Sequence, residues 1–147
     1  MDSIWVSMVA IVGTLLGSLV TGLLQRLISD QAEREARLDR LRNAAVGLAD
    51  SLTKYRERLY WQARVETSPE TTVQSKDKAR RKSWAARSQV NHAMNRLQLT
   101  TLDDRVLNLA AQARNVTFGI ANSTSTSDEA RAQQDEFLAA VAALTGA

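Results

Sequence analysis

The sequence predicts an all-α protein in which a single N-terminal transmembrane helix continues into an antiparallel cytoplasmic bundle of about four helices. Three observations lead to this fold class. The run Ile4–Leu24 holds 21 residues without a charged side chain. After it, apolar residues recur at alternating spacings of three and four. The whole chain has one proline and six glycines, and so few helix-breaking residues favour long helices.

The uncharged run has the length of a membrane span. As an α-helix it would extend about 31 Å at about 1.5 Å per residue, which matches a hydrocarbon core about 30 Å thick. Trp5 and Gln25 lie at its two ends, as interfacial residues do. A cleaved signal peptide is the alternative, but no basic residue precedes the run and no small-residue cleavage pattern follows it. We therefore predict a transmembrane helix over residues 4–25.

Basic residues lie on one side of the predicted span only. No lysine or arginine precedes it, and five arginines follow it closely: Arg26, Arg34, Arg37, Arg40 and Arg42. The positive-inside rule then places residues 1–3 outside the cell membrane and the body of the protein in the cytoplasm.

The predicted span is rich in small residues, which form two rows at helical spacing. Small residues let two helix backbones approach closely in a membrane. This pattern predicts a homo-oligomer that associates through Ala10, Gly13, Thr14, Gly17, Ser18, Thr21 and Gly22. Hydroxyl groups also recur along one side of the span, so the alternative is a helix that lines a narrow pore.

Residues 26–66 are predicted to form one long helix that leaves the membrane. The segment shows no turn signal before Thr67. Its apolar residues follow the alternating spacing of a packed helical seam. The predicted seam residues are Leu38, Leu41, Ala45, Leu48, Leu52, Tyr55 and Leu59.

Residues 67–147 are predicted to supply the remaining bundle helices. Ser68, followed by Pro69, is a helix-start signature, although a start nearer Ser75 is the alternative. A further helix is expected after Thr101, and a capping box at Thr126 predicts the start of the last one. The expected seam positions are Ala79, Ser83, Ala86, Val90, Ala93 and Leu97, then Leu102, Val106, Leu109, Ala113, Val116 and Ile120, then Ala130, Phe137, Val141 and Leu144.

The sequence contains no set of residues that predicts catalysis. There is no cysteine, and the one histidine, His92, has no metal-binding partner at helical spacing. The glycines do not form a phosphate-binding loop. We therefore predict that the protein is not an enzyme and needs no metal or cofactor.

Charge is unevenly distributed along the body. Residues 67–99 hold seven basic and two acidic residues, whereas residues 100–147 hold three basic and six acidic residues. A basic cluster beside Trp84 is the candidate partner patch, and Tyr60 and Trp61 lie off the seam nearby. Pairing with acidic residues of the last two helices is the leading interpretation; among external partners an acidic protein is favoured over nucleic acid. The cluster comprises Lys76, Lys78, Arg80, Arg81, Lys82 and Arg87.

The N-terminal region resembles small single-span proteins of high-GC actinomycetes. The resemblance rests on the opening "MDSIWVSMVAIVGTLLGSLVTGLLQR", the Arg/Glu/Ala-rich helix after it and the Tyr-Arg-x-x-x-Tyr segment from Tyr55 to Tyr60. Some of these proteins are encoded beside plasmid-transfer or mycelial-spread genes. The resemblance implies a membrane role in conjugative spread, and it identifies no functional residue.

These observations favour a membrane-anchored helical scaffold that self-associates and presents its basic hairpin to a partner. Two alternatives belong to other functional classes. The hydroxyl residues of the span would suit an oligomeric pore-forming or holin-like protein. The basic cluster would suit a membrane-tethered nucleic-acid-binding protein.

Overall fold

The computed structural model describes the backbone of residues 2–146 and the side chains of residues 25, 26 and 28–146. No strand occurs within residues 2–146, so the all-helical prediction is confirmed. The elements are α1 (Asp2–Thr67), α2 (Val73–Thr100), α3 (Asp104–Gly119), a 3-10 turn (Ile120–Asn122) and α4 (Ser127–Thr145).

The chain divides into two units, Met1–Leu38 and Asp39–Ala147. In the first unit, the described side chains before Leu38 are exposed, and Arg37 pairs with Glu33 one helical turn earlier at 3.8 Å. Among the side chains that the structure describes, no helix offers an apolar stretch of the length that a bilayer requires. Of the predicted span, only Gln25 is among the residues whose side chains the structure describes. All seven small residues predicted for helix association lie outside the described side chains.

The second unit is an antiparallel helical bundle. Near the start of the unit, the Arg42 guanidinium donates to the Thr145 carbonyl at 2.6 Å, whereas further along α1 the Arg56 guanidinium donates to Gln134 at 2.8 Å. Helices α1 and α4 therefore run in opposite directions. Towards the end of α1, Gln62 accepts a hydrogen bond from Ser83 of α2. Successive helices therefore alternate in direction, as short connections require.

The α1 seam forms one wall of the core. Leu48 and Leu52 are fully buried, and Leu38 and Leu59 are half-buried. The other predicted seam residues on α1 are buried, and so are Ala44 and Ala49 beside them, which let neighbouring backbones approach closely. The buried α1 residues are Leu41, Ala44, Ala45, Leu48, Ala49, Leu52 and Tyr55.

The other three helices complete the core, with some changes from the predicted positions. Leu102 is 92% exposed because it precedes the first residue of α3, and Leu144 is 45% exposed while Thr145 is buried instead. On α3 the buried face includes Ala110, where the spacing predicted Leu109. The buried residues are Ser83, Ala86, Val90, Met94 and Leu97 of α2, Val106, Ala110, Ala113 and Thr117 of α3, and Ala130, Phe137, Val141 and Thr145 of α4.

Helix α2 begins at Val73, so the predicted start at Ser68 is wrong and the alternative of a start nearer Ser75 is confirmed. Pro69 occupies a turn that the amide of Thr71 closes onto the Ser68 carbonyl at 3.4 Å. Proline suits such a turn because its ring fixes φ near the required value. Thr72 caps the helix instead, and its hydroxyl accepts from the Ser75 amide at 3.3 Å.

The α3–α4 turn is tight and has a defined geometry. Ser123 adopts a left-handed conformation with φ 57°, and the Ser125 hydroxyl donates to the Val116 carbonyl. A Cβ atom at Gly119 would lie 2.5 Å from the Ser125 hydroxyl oxygen, so only glycine fits there without disturbing that hydrogen bond. The predicted capping box of α4 at Thr126 is confirmed by its side-chain and backbone hydrogen bonds.

We expect two leucine substitutions to separate the core from the surface. Leu52→Ala should lower the free energy of unfolding by about 2–5 kcal/mol, because it leaves a cavity at a fully buried site. Leu102→Ala should change it by less than about 0.5 kcal/mol, since that side chain is exposed. Chemical unfolding of the full chain, followed by circular dichroism, measures both. Similar losses for the two variants would contradict this packing.

Candidate functional site

The candidate site lies at the hairpin that the end of α1 forms with the first half of α2. The short turn between the helices brings the aromatic end of α1 beside the basic start of α2. Tyr60 and Trp61 are 61% and 55% exposed, and Trp84 of α2 is 70% exposed. Tryptophan is highly buried on average in folded proteins. Exposed rings from both helices therefore distinguish this end of the bundle.

Polar contacts hold the hairpin together. The Arg80 guanidinium donates to the Glu66 carboxylate at 2.7 Å, and Gln62 donates to the same carboxylate oxygen at 3.1 Å. The hydrogen bond from Arg80, followed by that from Gln62, lowers the pKa of the Glu66 carboxyl group below its usual value. Ser83 completes the connection through its hydroxyl group, which donates to Gln62. Glu66 is thus a structural carboxylate that is held ionised.

A first groove, of about 510 Å³, opens between α1, α2 and the α3–α4 turn. The exposed rings of Tyr60 and Trp84 form part of its lining, and Arg56 and Arg87 supply its cations. Glu66 is the carboxylate among its lining residues. The other lining residues are Tyr55, Leu59, Gln62, Ala63, Ser83, Ile120, Ala121, Asn122, Ser123 and Ser127.

Beside the first groove, three helices contact one another through the side chains of Tyr55, Phe118 and Arg87. The rings of Tyr55 and Phe118 meet edge to face, with centroids 5.4 Å apart. The Arg87 guanidinium lies 4.4 Å from the centroid of the Phe118 ring, in a cation–π contact. Burial raises the pKa of the Tyr55 hydroxyl group, and the charge and hydrogen bond of Arg87 partly oppose that shift.

Arg56 is the second cation of this groove. Its guanidinium donates to the Gln134 side chain at 2.8 Å and to the Thr53 hydroxyl at 3.1 Å. Burial, followed by repulsion from Arg131, lowers the pKa of Arg56. An arginine stays protonated at neutral pH even so. The charge is therefore positioned on a rigid helix by two uncharged partners.

A second groove, of about 330 Å³, lies between α1 and α2 alone. Trp61 lines it together with three cations, Arg58, Lys78 and Lys82. The remaining lining residues are Gln62, Val65, Ser75 and Ala79, so no carboxylate lines this groove. Because Gln62 also lines the first groove, the two grooves adjoin.

The residues of the predicted basic cluster have different environments in the structure. Lys78 and Lys82 line the second groove, Arg80 pairs with Glu66, and Arg87 lies over the Phe118 ring. Lys76 is half-buried and Arg81 is exposed. Sequence reasoning did not include Arg56 and Arg58 in the patch, since the heptad pattern marks only apolar positions of α1.

The described side chains include no group that suits a metal ion. No three histidine, aspartate or glutamate residues among them cluster in a way that could hold one. His92 is exposed on α2 and lines neither groove. The chemistry that the grooves offer is aromatic stacking and attraction of anions.

Burial of Tyr55 predicts a measurable titration. In a Tyr60→Phe variant Tyr55 is the remaining tyrosine, and its ultraviolet absorbance should titrate with a midpoint above 10.0. Since the folded pKa is raised, the stability that Tyr55 contributes is present below about pH 10 and is lost as pH rises through the folded value. Adding Arg87→Gln should move the midpoint higher still. A midpoint at or below 10.0 would contradict this environment.

Comparison with known protein families gives a match to most of the chain. Residues 42–147 match the KilB plasmid transfer protein family, which is 106 of the chain's 147 residues. No curated protein and no solved structure matches the chain. The predicted resemblance to proteins associated with plasmid transfer is thereby confirmed. The matched segment lies wholly within the bundle unit, and because it covers more than half of the sequence, this chain belongs to the KilB plasmid transfer protein family.

Proposed function

We propose that the protein is a membrane-anchored, non-enzymatic scaffold of plasmid transfer, whose helical bundle presents a basic and aromatic surface to a partner. One observation carries the proposal. The family match begins at residue 42 and the bundle unit at Asp39, so the segment shared with plasmid transfer proteins is the bundle itself. The role in transfer is then a property of the bundle and its surfaces.

The composition of the grooves supports a role without catalysis. Glu66 is the one carboxylate that lines either groove, and it is already engaged by Arg80. No histidine lines them. General acid–base catalysis needs a positioned group that can exchange a proton near neutral pH. Arginine and lysine side chains instead suit binding of anionic groups.

The sequence of residues 4–25 supports membrane anchoring. The run is uncharged, has the length of a bilayer core and is followed by arginines. We infer a single span with the bundle in the cytoplasm, where proteins of a transfer system can reach it. Small residues in the same segment favour self-association, because close backbone contact between helices gains dispersion energy that lipid does not match.

Single-cysteine labelling tests the anchor and its orientation. The chain has no cysteine, so Ser3→Cys and Ser88→Cys each introduce one reactive group, the second at an exposed position of α2. In intact spheroplasts, a membrane-impermeant maleimide should label the Ser3→Cys variant, and it should label the Ser88→Cys variant only after lysis. Extraction of the protein from membranes by alkaline carbonate would refute the span.

Crosslinking in membranes tests self-association. Gly17→Ile should reduce crosslinked dimer about tenfold, because a branched side chain separates the helix backbones. Val12→Ile is a control outside the small-residue rows, since helical periodicity places Val12 about 140° around the helix from Gly17. Equal dimer in both variants, or monomer throughout, would exclude association through the small residues. Dye release from liposomes by the purified protein alone would support the pore alternative instead.

A further inference from the structure

The two adjoining grooves share one combination of side chains, which is an exposed aromatic ring beside cations. Tyr60 and Trp84 lie with Arg56 and Arg87 in the first groove. Trp61 lies with three cations in the second. We propose that this end of the bundle binds single-stranded nucleic acid, with bases stacked on the rings and phosphates held by the cations. The inference deepens the proposed scaffold role and rests on it for the setting in plasmid transfer.

The aromatic side chains supply the first argument. Three of them are more than half exposed, and they come from both helices of the hairpin. The Tyr60 and Trp61 rings meet edge to face with centroids 6.1 Å apart, and Arg64 lies 6.0 Å from the Trp61 ring. These contacts limit the orientations of the α1 rings. Ordered, solvent-exposed rings are the surfaces on which unpaired bases stack.

The cations supply the second argument. Five of them line the grooves: Arg56, Arg58, Lys78, Lys82 and Arg87. The single carboxylate there, Glu66, is neutralised by Arg80 at 2.7 Å. No other carboxylate lines the grooves, although Asp135 and Glu57 act on Arg56 from outside their lining. Phosphodiester groups would meet a positive field on both sides of the α1–α2 contact.

The arrangement favours a single strand over a duplex. In a duplex the bases are stacked on one another, so their faces are not accessible to Trp84 or Tyr60. An unpaired strand exposes both base faces and a phosphate at each nucleotide. Two neighbouring concavities that each combine a ring with cations suit such a repeating ligand.

The same arrangement argues against an acidic protein as the main partner. On the sequence alone an acidic protein is the more favoured external partner. Lysine, however, is depleted at the centres of protein interfaces, and Lys78 and Lys82 both line the second groove. Exposed tyrosine, tryptophan and arginine side chains occur at protein interfaces too, so the two lysines are what favours phosphate groups here.

Binding is measured with the full chain in detergent micelles and a fluorescently labelled 30-nucleotide oligothymidylate, by anisotropy. If all five cations contact phosphates, affinity should fall about 100-fold between 50 and 200 mM NaCl, because each contact releases counterions. An oligouridylate of the same length tests the sugar. Binding of either single strand supports the inference, and equal or tighter binding of a duplex of that length would overturn it.

Substitutions in the grooves test the assignment of residues. Trp84→Ala should weaken binding about 5- to 150-fold, and Trp84→Phe should restore most of it because a ring remains. Replacing Lys78 and Lys82 by alanine should reduce the salt slope by about 1.4. Circular dichroism checks that each variant folds, which we expect since Trp84 is exposed.

Leu102→Ala and Lys54→Ala are the matched controls, because both side chains are exposed and line neither groove. Three further results would overturn the inference. They are absence of binding at 50 mM NaCl, equal losses in groove and control variants, and binding of poly-L-glutamate that Trp84→Ala also weakens. The last would assign the surface to acidic proteins. In every case membrane crosslinking through Gly17 is measured separately, so failure of nucleic-acid binding would leave the scaffold role intact.

Discussion

Burial of the α1 seam is the constraint on which the bundle depends. Leu48 and Leu52 are completely shielded from solvent, and burial of a leucine contributes about 1.5–3 kcal/mol. Four of the buried residues that the other helices supply are alanines: Ala86, Ala110, Ala113 and Ala130. Small side chains keep the helices close, so the leucines are packed on every side. The stability of the bundle therefore does not depend on polar residues of its outer faces.

The end of that seam explains where the grooves form. Residues of the α3–α4 turn, Ile120–Asn122 and Ser123, line the first groove, whereas the second is lined by α1 and α2 alone. No third element lines the second groove, so Trp61 is covered there by α1 and α2 residues alone. Trp84 lines the first groove together with that turn and is 70% exposed even so. The packing of the bundle thus creates the surface that the proposals assign to a partner.

The proposed role combines two properties that lie in different parts of the chain. Residues 42–147 match the transfer family and carry the grooves, while the uncharged run and the small residues lie before residue 42. Most groove residues lie on long helices and not on loops. A rigid support of this kind holds charges and rings at fixed spacing, which a scaffold for an extended ligand requires.

The sequence by itself determined the local features of this protein. The capping box at Thr126 and the alternating spacing on α1 each depend on residues a few positions apart, so their structure follows from the chain alone. Within the candidate site, Lys78 and Lys82 were predicted as part of a partner patch for the same reason. The all-α fold class followed from the scarcity of glycine and proline.

Only the tertiary structure decided how those features are used. It left Leu102 exposed and buried Ala110, because the start of α3 and the rotation of its face depend on packing between helices. In the folded bundle Arg80 pairs with Glu66 across the hairpin, and Arg56 lines the first groove. A side chain becomes exposed or partnered only once distant segments meet. Residue spacing therefore predicted the helices, while contacts between helices selected the residues of the candidate site.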